Sequence, residues 1–422
     1  MVTRTLLDLS NRILDGQEKI TDHHPFRPSN VIEEVGDGVA LVDSFANVSV
    51  LATPDGLCLV DTGSAFVAAA VHDAVRSWSK ERATTAIYTH GHIDHVFGTA
   101  AFEAEGPMRV IGHAGVEPRF DRYVKTAGYN SVINRRQFQV PTLQWPVEYR
   151  RPDVTYTDRL DVDLGGVRAE LHHARGETDD HTWVWVPERR TLCTGDLIIW
   201  CSPNAGNPQK VQRYAEDWAV ALREMAALDP APALLLPGHG LPIEGPERIR
   251  TVLVDTATLL ESLAEQTLAL MNEGARLNDI LHTVTAPPGL LERPYLRPIY
   301  DDPEFIVRNV WRLYGGWYDG NPAELKPARE QALAAELAAL AGGADALARR
   351  AVELSESTDD ADLRLAGHLA EYAALAAPES ASAHRARAAV FGKRREAESS
   401  LMAKGVFAWA EAESRRRAEE LD

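Results

Sequence analysis

Residues 89–95 read Thr89-His90-Gly91-His92-Ile93-Asp94-His95, directly after an apolar run. Two histidines at i and i+2 on a strand end can converge on one metal ion, and the aspartate and histidine that follow can reach a second. A full ligand set needs more donors than this segment holds. The chain must therefore fold so that several strand ends meet at one place.

Three other strand ends offer the missing groups. Thr194-Gly195-Asp196 closes one strand, and its carboxylate can bridge two ions. Leu236-Pro237-Gly238-His239-Gly240 closes the next apolar strand and presents His239. Val60-Asp61-Thr62-Gly63 closes an earlier one, where Asp61 is placed to hydrogen-bond a ligand histidine. The histidines concentrate accordingly, with eight of 14 lying between His90 and His239.

The surrounding pattern is mixed α/β. Val39–Val42, Val48–Ala52 and Leu57–Val60 read as strands, joined through Asp37-Gly38 and Asp55-Gly56 turns. A helix is expected near Phe66–Ser79 and a strand at Ala86–Thr89. Further strands are expected at Arg159–Leu164, Val167–His172, Thr182–Val186, Thr191–Thr194 and Ala233–Leu236, with a helix near Val211–Leu228. After Pro246 the texture turns almost wholly helical, through Leu253–Leu270, Pro303–Trp317 and an Ala-, Leu- and Glu-rich run broken at Gly342-Gly343, Thr358–Asp362 and Pro378. The 422 residues thus divide into an N-terminal helical segment, 1–29, a mixed α/β domain, 30–245, and an all-helical domain, 246–422.

Charge narrows the partners. Lys and Arg total 44 against 62 Asp and Glu, a net charge of -18, which disfavours nucleic acid and anionic membrane surfaces. The first 20 residues lack the unbroken apolar run of an export signal, and no stretch is long and apolar enough to span a bilayer. Three cysteines are too few for a disulfide framework. Together these point to a cytoplasmic protein acting on a small molecule.

The motifs His90-x-His92-x-Asp94-His95, Asp61-Thr62-Gly63, Gly195-Asp196 and Gly238-His239-Gly240 resemble those of the metallo-β-lactamase superfamily, in the family's order. The resemblance implies an αββα sandwich over about residues 30–245, followed here by the all-α C-terminal domain. It also implies two zinc ions per chain, held by His90, His92, Asp94, His95, Asp196 and His239, with a metal-bound hydroxide attacking an ester-like bond. Asp94 and Asp196 would orient that hydroxide or shuttle its proton.

The family's commonest form carries a histidine ligand about twenty residues before the bridging carboxylate. Here Glu177 occupies that slot, with His181 as its rival and His173 as a weaker one. Glutamate there resembles the alkylsulfatase branch, and residues Val307–Ala323 are similar to the start of the alkylsulfatase dimerisation domain. The resemblance implies a homodimeric sulfuric-ester hydrolase whose anionic substrate has an apolar chain. Arg135 and Arg136 would hold the anion, and Trp200 and Tyr129 would line the pocket, with Lys210 and Arg213 as weaker cationic candidates. The stretch from Asp196 to Arg213 lacks the histidines of that branch, so hydrolysis of a lactone, carboxylic ester, thioester or β-lactam by the same site stays open. A non-catalytic scaffold with a vestigial metal fold is the third reading.

Overall fold

The computed structural model describes residues 5–27 and 29–422. Thirteen strands build two sheets among these residues. The first contains β1 (Ile32–Gly36), β2 (Val39–Val42), β3 (Val48–Thr53), β4 (Gly56–Val60), β5 (Ala83–Ile87), β6 (Arg109–His113) and β7 (Val154–Tyr156), in sequence order. β1 to β4 form an antiparallel meander, and β4 to β7 run parallel. The second sheet contains β8 (Arg159–Asp163), β9 (Arg168–Ala174), β10 (His181–Val186), β11 (Thr191–Gly195), β12 (Leu234–Pro237) and β13 (Ile243–Glu244), ordered 13-12-11-10-9-8. Within it only β11 and β12 are parallel.

Alternation of side chains along the strands explains the layering. Leu41, Leu51, Cys58, Val60 and Ile87 of the first sheet meet Leu171, Val184, Val186, Cys193 and Leu236 of the second in one buried cluster. The opposite side of the first sheet, through Val42, Val48, Val50 and Leu59, covers the helix Ala68–Trp78 and reaches Phe102 and Phe120. The helices Ala215–Ala226 and Pro246–Asn272 bury Trp218, Leu222, Leu253 and Leu260 on the side of the second sheet. The result is helix, sheet, sheet, helix: the expected αββα sandwich. Cys58 and Cys193 face each other inside it as buried free thiols, pushed up to about 12 by desolvation.

The expected strand Ala86–Thr89 lies earlier, at Ala83–Ile87. Thr89 leaves the ladder because its N–H goes to Asp61 Oδ1 and its carbonyl accepts from Thr182. The change of texture at residue 246 marks where strands cease, not where the compact unit ends. One unit comprises residues 1–127, 146–275 and 279–316, so the helices Pro246–Asn272 and Pro303–Gly315 fold with the sheets.

The second unit takes residues 128–145, 276–278 and 317–422. Its helices Glu330–Ala341, Ala344–Ser355, Asp360–Ala376 and Ala381–Ala397 begin or end at the breaks expected from sequence, and a further break that was not expected precedes Leu401–Leu421. Asp359, Ser380 and Ser400 each cap a helix by accepting a backbone N–H from its first turn. Its core is largely alanine, with Ala348, Ala366, Ala370, Ala373 and Ala383 buried. Among the described residues, no helix is long and apolar enough to cross a membrane.

Candidate metal centre

The parallel strands β4, β5, β11 and β12 end close together, and the loops after them carry the titratable cluster. Asp61 follows β4 in a left-handed conformation, φ 63°. Its carboxylate accepts from Thr89 N at 2.7 Å and Thr89 Oγ1 at 2.8 Å, and takes the His95 Nδ1–H at 2.7 Å. That bond fixes the His95 ring with Nε2 turned toward the other donors, and although burial disfavours charge on it, Asp196, Asp61 and Asp94 hold the ring above the usual histidine range.

Two groups of donors result. His90, His92 and Asp196 bring one ligand atom each within 4.8 Å of one another, and so do Asp94, His95 and His239. Asp196 stands between them. Its Oδ1 lies 3.2 Å from His95 Nε2 and 3.4 Å from His239 Nε2, while its Oδ2 lies 3.7 Å from His90 Nε2. The geometry suits a carboxylate shared by two cations. His90 Nε2 and His92 Nδ1 face each other at 2.8 Å, and His239 is oriented through Nδ1 by the Phe45 carbonyl.

The orphaned atoms test the fit to a metal. His95 Nε2 and Asp196 Oδ1 are buried without a hydrogen-bond partner, and Glu177 Oε2 shares that state. Burial, reinforced by neighbouring histidines for His90 and by Arg213 and Arg119 for His92, drives both rings well below the usual histidine range, so both present lone pairs. Burial raises the cost of charge on Asp196, yet His239 and His95 outweigh it and hold the carboxylate ionised. Lone pairs on His90 and His92, an ionised Asp196 and unpaired inward atoms on His95 and Asp196 are what a divalent cation requires, so the residues fit. His92 and Asp94, with side chains 15% and 21% exposed, are the open positions of the two groups.

Two glycines make the approach possible. A Cβ on Gly195, where φ is +50°, would lie 2.7 Å from the Thr89 side chain and 2.8 Å from the His181 ring. At Gly238 it would fall 2.1 Å from Asp196 Oδ1.

The contested slot is divided. His181 Nε2 accepts the Asp196 backbone N–H at 3.1 Å, so its lone pair is spent on anchoring the main chain at Asp196. His173 bonds the Asp179 carbonyl and stacks on His113, away from the donors. Glu177 Oε1 lies 3.7 Å from His92 Nδ1, and it takes Asn204 Nδ2 at 2.6 Å and Arg213 Nη1 at 2.6 Å. Desolvation pushes the Glu177 carboxyl well up despite the Arg213 cation. Glu177 therefore borders the His92 group while standing outside both triads.

The expected pocket residues lie in both units. Trp200 is fully buried, donates its indole N–H to the Leu241 carbonyl at 2.7 Å and packs under Gly240, so it is a packing residue. Tyr129, Arg135 and Arg136 sit on the helix Ala127–Phe138, within residues 128–145 of the second unit. Arg135 donates to the Leu143 carbonyl and Tyr129 is exposed. The first unit itself offers Arg213, 2% exposed with an unpartnered Nε, and Lys210, whose ammonium is pushed down to about 7 by burial and then by Arg213. Asn204 carries no local sequence signal; only its distance to Glu177 reveals it.

Sandwich, strand-end donors and motif order define a metallo-β-lactamase fold. Residues 27–239, just over half the chain, match the metallo-beta-lactamase superfamily model, and the chain belongs to that superfamily. Residues 276–417 match the alkyl sulfatase dimerisation model. Among curated proteins, the chain is 27% identical over 323 residues to a linear primary-alkylsulfatase of a Pseudomonas species, covering 69% of this chain and 60% of that one. It is 26% identical over 374 residues to an (R)-specific secondary-alkylsulfatase of Pseudomonas sp., covering 81% and 56%. The chain thus spans less than two thirds of these relatives' length. The solved structure of the stereoselective inverting sec-alkylsulfatase Pisa1 from Pseudomonas sp. superposes with a TM-score of 0.80 at 23% identity, covering 92% of this chain and 66% of that one. That likeness extends the shared fold across both units.

Proposed function

We propose that the chain is a binuclear zinc-dependent sulfuric-ester hydrolase acting on an alkyl sulfate, and that it works as a homodimer. The observation that carries this reading is the pair of donor triads joined by Asp196, with the buried Arg213 beside them. The alkylsulfatase relatives support the substrate class.

His90, His92 and Asp196 would hold one ion, with Glu177 completing the set, and Asp94, His95 and His239 the other. Zinc bound there would supply Lewis acidity and activation of water near neutral pH. Asp61 holds the His95 ring with Nε2 toward the donors, and His181 anchors the Asp196 backbone N–H beside both groups. Asp94, the more exposed carboxylate, is placed to accept the proton of the attacking water. Arg213 Nε–H is a buried donor without a partner, and it is suited to an anionic oxygen of the ester. Lys210 adds a second cation close to Asp94 and Glu177. Water adds and the alcohol leaves, so that ROSO3− and H2O give ROH and hydrogen sulfate.

A hydrolysis panel on the zinc-loaded chain tests this reading. Sulfate release from medium-chain alkyl sulfates is expected, with little turnover of lactones, aryl esters, thioesters or β-lactams. Turnover of one of those classes without sulfate release would overturn the substrate and favour the neutral-ester reading. His92→Ala should abolish turnover while leaving the far-ultraviolet circular dichroism unchanged.

A further inference from the structure

The arc from Asn204 to Arg213 carries Asn204, Lys210 and Arg213, yet it lies between β11 and the helix Ala215–Ala226 without a ladder of its own. Its buried backbone groups need partners from elsewhere. The helix Pro303–Gly315 provides them. Asn309, 5% exposed, donates one Nδ2 hydrogen to the Ala205 carbonyl at 2.9 Å and the other to the Arg213 carbonyl at 2.8 Å. A single carboxamide therefore closes both ends of the arc.

The surroundings fix that carboxamide. Its Oδ1 accepts from Arg312 Nη2 at 2.9 Å, and Arg312 Nε bonds Gln212 Oε1 at 3.0 Å. Gln212 Nε2 returns to the Asn309 carbonyl at 3.0 Å. At the other end Asp301 Oδ2 accepts the Gly206 N–H at 3.1 Å, and Gly206 lies flush on the helix, where a Cβ would stand 2.0 Å from the Phe305 backbone. The donor pair on Asn309, the Arg312–Gln212 brace and the flush contact all act on the segment that aims Asn204 and Arg213 at Glu177.

We infer that Asn309 is a positioning residue that sets the aim of the anion-holding groups Arg213, Lys210 and Asn204, from a helix lying within the segment that matches the dimerisation model. The inference rests on the sulfate-ester reading for its substrate and on the hydrogen bonds alone for its mechanics. Asn309 touches neither the metal donors nor the ester.

Two full-length variants separate the possibilities. Asn309→Leu keeps the branching at Cγ and removes every polar side-chain atom; Asn309→Asp keeps the acceptor for Arg312 and removes both donors. Hydrogen exchange by mass spectrometry should show faster exchange over residues 205–213 in both variants, with β11 and β12 unchanged. Steady-state kinetics should show KM for an alkyl sulfate raised about tenfold or more and kcat changed by less than about threefold, as expected for lost ground-state binding. The inhibition constant of inorganic sulfate should rise in parallel. Unchanged exchange across 205–213 would overturn the clamp. Faster exchange with KM and sulfate inhibition as in the wild type would reduce Asn309 to a structural part. A wild-type chain that releases no sulfate defeats the substrate reading instead, and the exchange comparison still decides the clamp.

Discussion

Asp180 accepts the backbone N–H of Gly91 at 3.0 Å, so a carboxylate from the far side of the sandwich fixes the peptide between His90 and His92. Asp180 is fully buried and is itself held by Arg119 Nε at 2.7 Å, with Arg119 also paired to Asp179. Nothing in the His-x-His segment predicts this support. It supplements the contact of His90 Nδ1 with Thr89 Oγ1 at 3.0 Å in holding the two ring nitrogens that face each other at 2.8 Å.

Asp180→Ala leaves the buried Arg119 cation without its main partner. Breaking such a pair costs about 3–5 kcal/mol. Urea unfolding should show that loss, and equilibrium dialysis should show weakened metal retention as Gly91 loosens. A variant within about 0.5 kcal/mol of the wild type, the range of neutral surface changes, would refute the support.

The same pair sets a pH dependence. Burial alone would raise the Asp180 carboxyl, but Arg119 and the Gly91 N–H bring it below its ordinary value of 3.8. A depressed carboxylate stabilises the fold above the unfolded value, and this contribution is lost as pH falls through the folded one. Chelator-treated wild type should therefore lose stability below about pH 4 more steeply than Asp180→Asn. Parallel pH profiles for the two chains would contradict the linkage.

Much of the sandwich was legible because β2, β3, β4, β10 and β11 are rich in apolar and β-branched residues and are bounded by Asp-Gly turns or chain reversals. The donors were legible because each ends a strand. What stayed hidden depends on contacts between distant segments. Asn309 and Ala205 lie 104 positions apart and Asp180 and Gly91 lie 89 apart, and neither pair leaves a periodic trace. Arg135 and Arg136 are expected to hold the anion from their resemblance to the alkylsulfatases, and they lie in the second unit. Local pattern cannot tell which unit a helix joins, and Gln139 Nε2, just beyond that helix, bonds the Gly405 carbonyl at 2.8 Å, within the second unit.

Glu177 and His181 can be distinguished by metal content. Glu177 keeps Oε2 unpartnered beside the His92 group, whereas His181 has given its Nε2 to the Asp196 N–H. Glu177→Gln should bind one zinc per chain in place of two, measured by plasma emission spectroscopy after gel filtration. His181→Asn should keep two, with affinity reduced about 10–100-fold as for other residues that orient a ligand. The reverse pattern would move the ligand role to His181.

Metal removal should cost stability. Asp94, Asp196 and Glu177 gather within one site, and cations bound to the folded state add stability in proportion to their occupancy. At free zinc a thousandfold above its dissociation constant, one site contributes about 4 kcal/mol. Chelation should lower the melting temperature by several degrees, with zinc restoring it; an unchanged melting curve would mean that the donors hold no cation.

The helix Glu330–Ala341 buries only Ala334 and Ala338 and leaves Leu333 and Leu340 at 42% and 85% exposure. These leucines are seven positions apart and share one face of the helix. An exposed pair of leucines within a segment that matches the dimerisation model is accounted for if a second copy covers them. Burying a leucine is worth about 1.5–3 kcal/mol, and a two-fold interface counts each one twice. Leu333→Glu with Leu340→Glu should shift the chain from dimer to monomer in sedimentation equilibrium at micromolar concentration, with zinc content per chain unchanged. A double variant that sediments as the wild type does would place the interface on another face.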